Sequence, residues 1–421
     1  MNPILPPEHH VPDGEPHVWE DGRIYLYGSY DKDGDTFYCS DRYHVFSSDD
    51  MVNWTDHGIG FDTSGSHAEV RRLFAPDCMY RDGKYYLAYC GPGGIEGFAV
   101  SDKPEGPFTD AFAVEGADKD AIDPCVLLDD DGSVYYFWGQ FNLRGAQLTD
   151  DLHAIDKSTF NPSILNEDDD GFHEGSSIRK RNGLYYMVYT DTSRGKATSL
   201  GYAISEKPLG PYEKKGIIID NDGCDLDTWN NHGGIEEFNG QWYVLYHRSS
   251  QGCKYNRRAC AEPIDFNKDG TIDEVQQTTQ GPEGPLDAFK PVEAWRACEL
   301  EGKVISKPFD RRSPDDPYEE RLTNIHNDDW AVYRHLDFGG GASAFKATAG
   351  CAVGDGRIEV RLDSKEGTRI AICPISDTGH WNFTREFTAE ISEKVEGVHE
   401  VYLHLRGMSA RIFDLESFWF E

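Results

Sequence analysis

Through the first 290 residues, short runs of alternating aromatic and aliphatic side chains each follow an Asp-Gly or Asn-Gly pair. Asp21-Gly22 precedes Ile24-Tyr25-Leu26-Tyr27, Asp82-Gly83 precedes Tyr85-Tyr86-Leu87, and Asp131-Gly132 precedes Val134-Tyr135-Tyr136-Phe137. Asn182-Gly183 and Asn239-Gly240 open the same phrase before Tyr185-Tyr186-Met187 and Trp242-Tyr243-Val244. Such a pair suits a type I′ turn, whose two central residues need positive φ, so each phrase predicts a tight hairpin. Five hairpins at a regular period, with no helical periodicity between them, predict radial blades; an ordinary sandwich has no reason to repeat one hairpin in this way. Further on, Arg357-Ile358-Glu359-Val360-Arg361-Leu362 and Val401-Tyr402-Leu403-His404-Leu405 alternate as half-buried strands do. The predicted class is all-β: a five-bladed β-propeller over residues 1–290, a proline-marked return and linker over 263–294, and a β-sandwich over 295–421.

The first strand of a propeller blade lines the central channel, so polar residues at its start face the axis. Counting back six to nine positions from each turn glycine finds Glu15, Asp77, Asp123, Glu174 and His232. Four carboxylates and a histidine from five blades are thus predicted to share one pocket. Like charges in a buried site push carboxyl pKa values apart, and two carboxyls so separated supply the acid and the base of glycoside hydrolysis.

Composition narrows the partners. Seventy-five acidic against 41 basic side chains give a formal charge of −34, which argues against nucleic acid or an anionic membrane surface and favours a neutral ligand. No apolar run approaches the roughly 20 residues of a membrane-spanning helix. The N-terminal Met1-Asn2-Pro3-Ile4-Leu5 has neither a basic nor an apolar leader region, which predicts a cytoplasmic protein. Ten scattered cysteines without a CxxC pair read as reduced core residues. No HxxxH spacing supports a metal-dependent hydrolase, since only His9 and His10 are adjacent and they lie in a tail; no organic cofactor is expected.

Leu73-Phe74-Ala75-Pro76-Asp77, Ala121-Ile122-Asp123-Pro124, Glu174-Gly175-Ser176 and His232-Gly233, in that order, resemble the five-bladed propeller of glycoside hydrolase family 43. The resemblance implies inverting hydrolysis by three carboxylates. Glu174 would be the general acid. Asp123 would orient it and, as an anion, keep it protonated. The family's Asp-Pro at the base position aligns with Glu15-Pro16, with Asp13 two residues earlier. In an extended segment both side chains would point to one side; Glu15 is the preferred base and Asp13 the other candidate. His232 matches a channel histidine that contacts a calcium or sodium ion. Trp19, Phe74, Trp138 and Trp229 are candidate sugar-stacking walls. The implied activity is removal of α-L-arabinofuranosyl or β-D-xylosyl units from plant polysaccharide or its oligosaccharides. A galactan-directed glycosidase and a non-catalytic sugar-binding propeller are the alternatives.

In the C-terminal part, Asn327-Asp328-Asp329-Trp330, Leu336-Asp337-Phe338-Gly339, Thr378-Gly379-His380-Trp381-Asn382 and Gly397-Val398-His399 resemble a family 6 carbohydrate-binding module. This implies a sugar-stacking Trp381 and a structural calcium. The asparagine that such modules use near their C-terminus is here Asp414, so a module that serves as a packing partner of the propeller is the competing reading.

Overall fold

The computed structural model describes residues 1–117, 120–310 and 317–421. Each hairpin phrase lies at the heart of one antiparallel sheet. Blades 1 to 4 have four strands each and run over residues 15–62, 77–113, 125–166 and 172–220; blade 5 has three, over 234–264. In every blade the strands follow chain order from the axis outward. The N-terminus completes blade 5. Ile4 donates its N–H to the Ala259 carbonyl (2.9 Å), and the Asn2 side chain both accepts from Ala261 N–H (2.9 Å) and donates to its carbonyl (3.1 Å). The ring is therefore closed by residues 2–4 lying along the outer strand Cys253–Ile264.

Strand register defines what faces the axis. Glu15 pairs with Tyr27, Asp77 with Ala88, Cys125 with Phe137, Ser177 with Val188 and Gly234 with Leu245. Each partner stands five residues beyond its turn glycine, so these five residues form one level of the channel. The level is tightly filled: a Cβ on Gly234 would lie 2.4 Å from Ser177 Oγ and 3.0 Å from Glu15 Oε2. Arg179 enters it from below and pairs with Glu15 (2.8 Å) and Glu236 (2.8 Å), while His17 bonds Asp77 at 2.7 Å. A buried charge is tolerable only when paired, and these pairs close the channel.

The C-terminal part folds as two six-stranded sheets enclosing one apolar core, which includes Phe345, Phe418, Phe420, Val360 and Leu403. Residues 286–293, read from sequence as linker, already belong to it: Leu286 and Asp287 pair with Leu336 and Asp337, and Val292 and Glu293 with Phe418 and Ser417. The sandwich docks on the propeller through buried charge. Arg258 of blade 5 grips Glu320 with two nitrogens (3.0 and 2.5 Å), and Gln251 donates to the same carboxylate (2.6 Å). All ten cysteines are unpaired, and nine of them are buried.

Candidate active site

Above the closed level, the channel opens into a cavity of about 310 Å³ whose walls include Asp13, Asp123, Glu174 and His232. These residues precede the axis-lining level by two positions, or by three in blade 4, where the strand is bulged between Glu174 and Ser177. Asp13 and Asp123 both adopt left-handed backbone, with φ of 56° and 54°. Gly175, at φ 64°, completes the bulge; a Cβ there would sit 2.8 Å from the His232 ring, so only glycine lets that ring lie against blade 4.

Asp13 is nearly sealed from solvent yet fully partnered. Arg257 Nη1 donates to its Oδ1 (2.9 Å), and the Nδ1 atoms of His247 and His232 stand 3.6 and 3.8 Å away. Burial alone would raise this carboxyl. Arg257, with His232 and His247, outweighs burial and holds it at about 2. Burial and Arg257 push His247 down to about 3, so its imidazole is neutral. It donates Nε2–H to the Asn230 carbonyl (3.0 Å) and accepts the Asp13 N–H at Nδ1 (3.4 Å). Arg257 is itself fixed by Asp31 (3.0 Å) and by the Tyr38 ring, 4.8 Å from its guanidinium carbon.

Asp123 shows the opposite behaviour. Burial, then the charges of Glu174 and Asp13, push its carboxyl well above the ordinary range. This direction runs against the anionic Asp123 that the family resemblance implies. Glu174 is half-buried and accepts from Gln140 Nε2 (2.7 Å) and Asn230 Nδ2 (3.5 Å).

Glu15, the preferred base in the sequence, is not on the cavity wall. It lies one level down, held by Arg179 and by the Ser177 hydroxyl (2.8 Å). The two side chains do not share a side because left-handed backbone at Asp13 breaks the extended alternation on which that expectation rested. Among the candidate walls, Phe74 and the half-exposed Trp229 line the cavity. Trp19 does not: its ring stacks on His17 (4.8 Å) and its indole N–H bonds Tyr27 Oη (3.0 Å). Trp138 is wholly buried, stacked with Phe160 of its own blade and packed in the apolar core shared with Ala88 and Phe98 of blade 2. Trp381 lies in the sandwich with the Arg411 guanidinium 4.3 Å above its ring. Asp414 beside it is enclosed by Arg321 (2.9 Å), Arg411 (2.6 Å) and the Thr323 hydroxyl (2.8 Å).

Sequence reading missed Phe37, Tyr38, Gln140, His173, Asn230 and Arg257, which also line the cavity. None of them stands out in the sequence: Arg257 sits in Cys253–Ile264 among Lys254, Arg258 and Glu262. The cation expected at His232 finds a poor donor set. Calcium takes six to eight oxygens, whereas the ring nitrogen faces a carboxylate already neutralised by Arg257. In the sandwich, no three carboxylate or imidazole ligand atoms converge among the described residues. No step is assigned to either ion.

Residues 1–272 match the family described as glycosyl hydrolases family 43, and residues 309–421 match carbohydrate binding module (family 6). The chain is 31% identical to an arabinoxylan arabinofuranohydrolase of Paenibacillus polymyxa, over 95% of this chain and 71% of that one. A family 43 arabinoxylan arabinofuranohydrolase from Bacillus subtilis, solved with cellotetraose, is 27% identical with a TM-score of 0.54, covering 100% of this chain and 97% of that one. A family 43 β-xylosidase/α-arabinofuranosidase from a compost metagenome, solved with xylotriose in a calcium-free form, is 31% identical with a TM-score of 0.58, over 66% and 97%.

Proposed function

The chain belongs to glycosyl hydrolase family 43 and carries a family 6 carbohydrate-binding module, and from that premise we propose that it removes single α-L-arabinofuranosyl or β-D-xylosyl residues, with inversion, from plant polysaccharide or its oligosaccharides. The observation that carries this reading is the meeting of Asp13, Asp123 and Glu174 on one small cavity, with Arg257 against Asp13 holding its carboxyl low and burial pushing Asp123 up. An inverting glycosidase needs an anion on one side of the sugar and a proton on the other.

In this mechanism Asp13 takes a proton from a water as that water attacks the anomeric carbon. Arg257 keeps Asp13 ionised and fixes its orientation. The proton for the leaving oxygen is delivered by Glu174, the more exposed of the two carboxyls on that side of the cavity. Gln140 and Asn230 hold the Glu174 carboxyl in place. Trp229 and Phe74 offer ring faces to the sugar. A volume near the lower limit for ligand sites, which span roughly 300–1,000 Å³, supports one bound sugar residue and thus exo action. The named relatives, which are arabinofuranohydrolases and xylosidases, support the choice of pentose.

Asp13 on the cavity wall, opposite Glu174 in the chain order of the blades, supports hydrolysis over a non-catalytic sugar-binding propeller. A panel of 4-nitrophenyl α-L-arabinofuranoside, β-D-xylopyranoside and β-D-galactopyranoside, with the product anomer followed by NMR, tests the proposal. Pentose release with inverted configuration is expected. Release of galactose alone, or retained configuration, overturns it.

A further inference from the structure

Two sets of metal-ligating side chains converge among the described residues: Glu15, His17 and Asp77 on the axis, and His9, His44 and Asp56 at the edge of blade 1. The axial set has no need of a cation. Arg179 already pairs with Glu15, Ser177 donates to that same carboxylate, and His17 bonds Asp77.

The second set is different. His9 comes from the N-terminal segment, His44 from the strand Arg42–Ser48, and Asp56 from its neighbour Trp54–Asp62. Register shifts around His44 displace the pairing, and the Gly58 N–H fixes Asp56 Oδ1 at 2.7 Å. His44 Nδ1 and His9 Nε2 then stand 3.6 Å from the two oxygens of Asp56, and the three ligand atoms lie within 4.8 Å of one another. At 3.6 Å neither contact is a hydrogen bond. His44 Nδ1 is buried and has no hydrogen-bond partner. Such an orphan is costly unless something is meant to meet it. The rings are pre-positioned, His44 stacked on Tyr30 (4.2 Å) and His9 edge-on to Phe46 (5.1 Å).

We propose that His9, His44 and Asp56 bind a divalent transition metal of the zinc class. Two imidazole nitrogens and one carboxylate oxygen are a zinc donor set, and Asp56 lies at the solvent edge, where water can complete a tetrahedron. A tetrahedron of ~2.0–2.1 Å bonds has edges of about 3.3–3.4 Å, so small side-chain movements close the site. The ion would tie the N-terminal segment to blade 1 four residues before Asp13. It would therefore stabilise the segment that carries the proposed base.

The test is zinc titration of the chelator-treated full chain, read by calorimetry, by metal content after gel filtration and by thermal unfolding, with cobalt absorption reporting geometry. One equivalent per chain, tetrahedral cobalt bands and a rise of several degrees in Tm are expected. His9→Gln, Asp56→Asn and His44→Phe, the last keeping a ring on Tyr30, should each lower affinity by about 10-fold or more and remove the thermal shift. No binding by the wild type, or equal binding by all three variants because zinc sits on other histidines, overturns the proposal.

Discussion

Arg257 Nη1 lies 2.9 Å from Asp13 Oδ1, and both residues are almost wholly buried. A guanidinium cannot give up its proton in a protein, so this contact fixes the charge of Asp13 across the working pH range. Asp31 on the other edge of Arg257 prevents the guanidinium from turning away.

The acid limb of the pH profile should follow Arg257. With it in place, the Asp13 carboxyl stays near 2, and kcat/KM should hold on the acid side until the enzyme itself unfolds. Without it, burial, the largest influence on this carboxyl, acts with less opposition, and protonation inactivates a base. Arg257→Met is therefore expected to move the acid limb to higher pH, and Arg257→Lys to move it part of the way back. A profile of kcat/KM against pH for the three proteins, with Tm measured alongside, separates this effect from unfolding.

Asp13 and Glu15 should separate by the kind of damage their loss causes. Asp13→Asn removes the proposed base and is expected to cost roughly 10³-fold or more in kcat, at the level of other lost catalytic groups. Glu15→Gln breaks a buried pair with Arg179, for which about 3–5 kcal/mol of stability is the usual loss, while kcat of the folded fraction should fall less than about 10-fold. Urea unfolding and kcat on the same preparations check both.

That distinction was half legible in the chain. The five turn glycines give the blades, and Asp123, Glu174 and His232 lie on the cavity wall. Counting back six to nine positions fails for blades 1 and 2 because that window spans two levels of the channel, and Glu15 and Asp77, seven and six positions before their glycines, sit on the closed one. Val18 leads to Ile24 and Leu128 to Val134, whereas Arg81, Arg181 and Phe238 are followed at once by short turns to Lys84, Leu184 and Gln241. One window thus groups Glu15 and Asp77 with Asp123, which lies nine positions before its glycine and on the cavity wall. Positive φ at Asp13 leaves no clear mark in Pro12-Asp13-Gly14-Glu15. Tyr38 and Arg257 reach the site through tertiary packing alone, which no short motif encodes.

Loss of Glu174 should depend on the leaving group. A dinitrophenolate departs without protonation, whereas a sugar hydroxyl does not. Glu174→Gln is expected to lose about 10²–10⁴-fold on a pentose oligosaccharide and far less on the 2,4-dinitrophenyl glycoside of the same sugar. Parallel rates on the two substrates check this; equal losses would remove the proton-donor role from Glu174.

The docking of the two domains should hinge on Glu320. Its carboxylate is buried and serves Arg258, Gln251 and the Tyr318 hydroxyl at once. Glu320→Ala leaves Arg258 charged and without this partner inside the interface, and a loss of about 3–5 kcal/mol is expected. The double variant Arg258→Met/Glu320→Met removes both charges and should recover part of it. Chemical unfolding followed by tryptophan fluorescence measures the cycle, with Trp295 reporting locally because Arg258 lies 4.9 Å from its ring.

Trp381 should contribute little to holding polysaccharide. A sugar needs the ring face, and Arg411 covers it while its own charge is held by Asp414. Asp414 cannot serve a ligand in place of asparagine, since Arg321, Arg411 and Thr323 occupy its oxygens. Trp381→Ala is therefore expected to leave migration through an arabinoxylan-containing native gel within about twofold of wild type. Arg411→Ala should increase retention if the exposed indole can then stack against sugar. Strong retardation of the wild type that disappears in Trp381→Ala would show instead that the guanidinium yields its place to the polysaccharide.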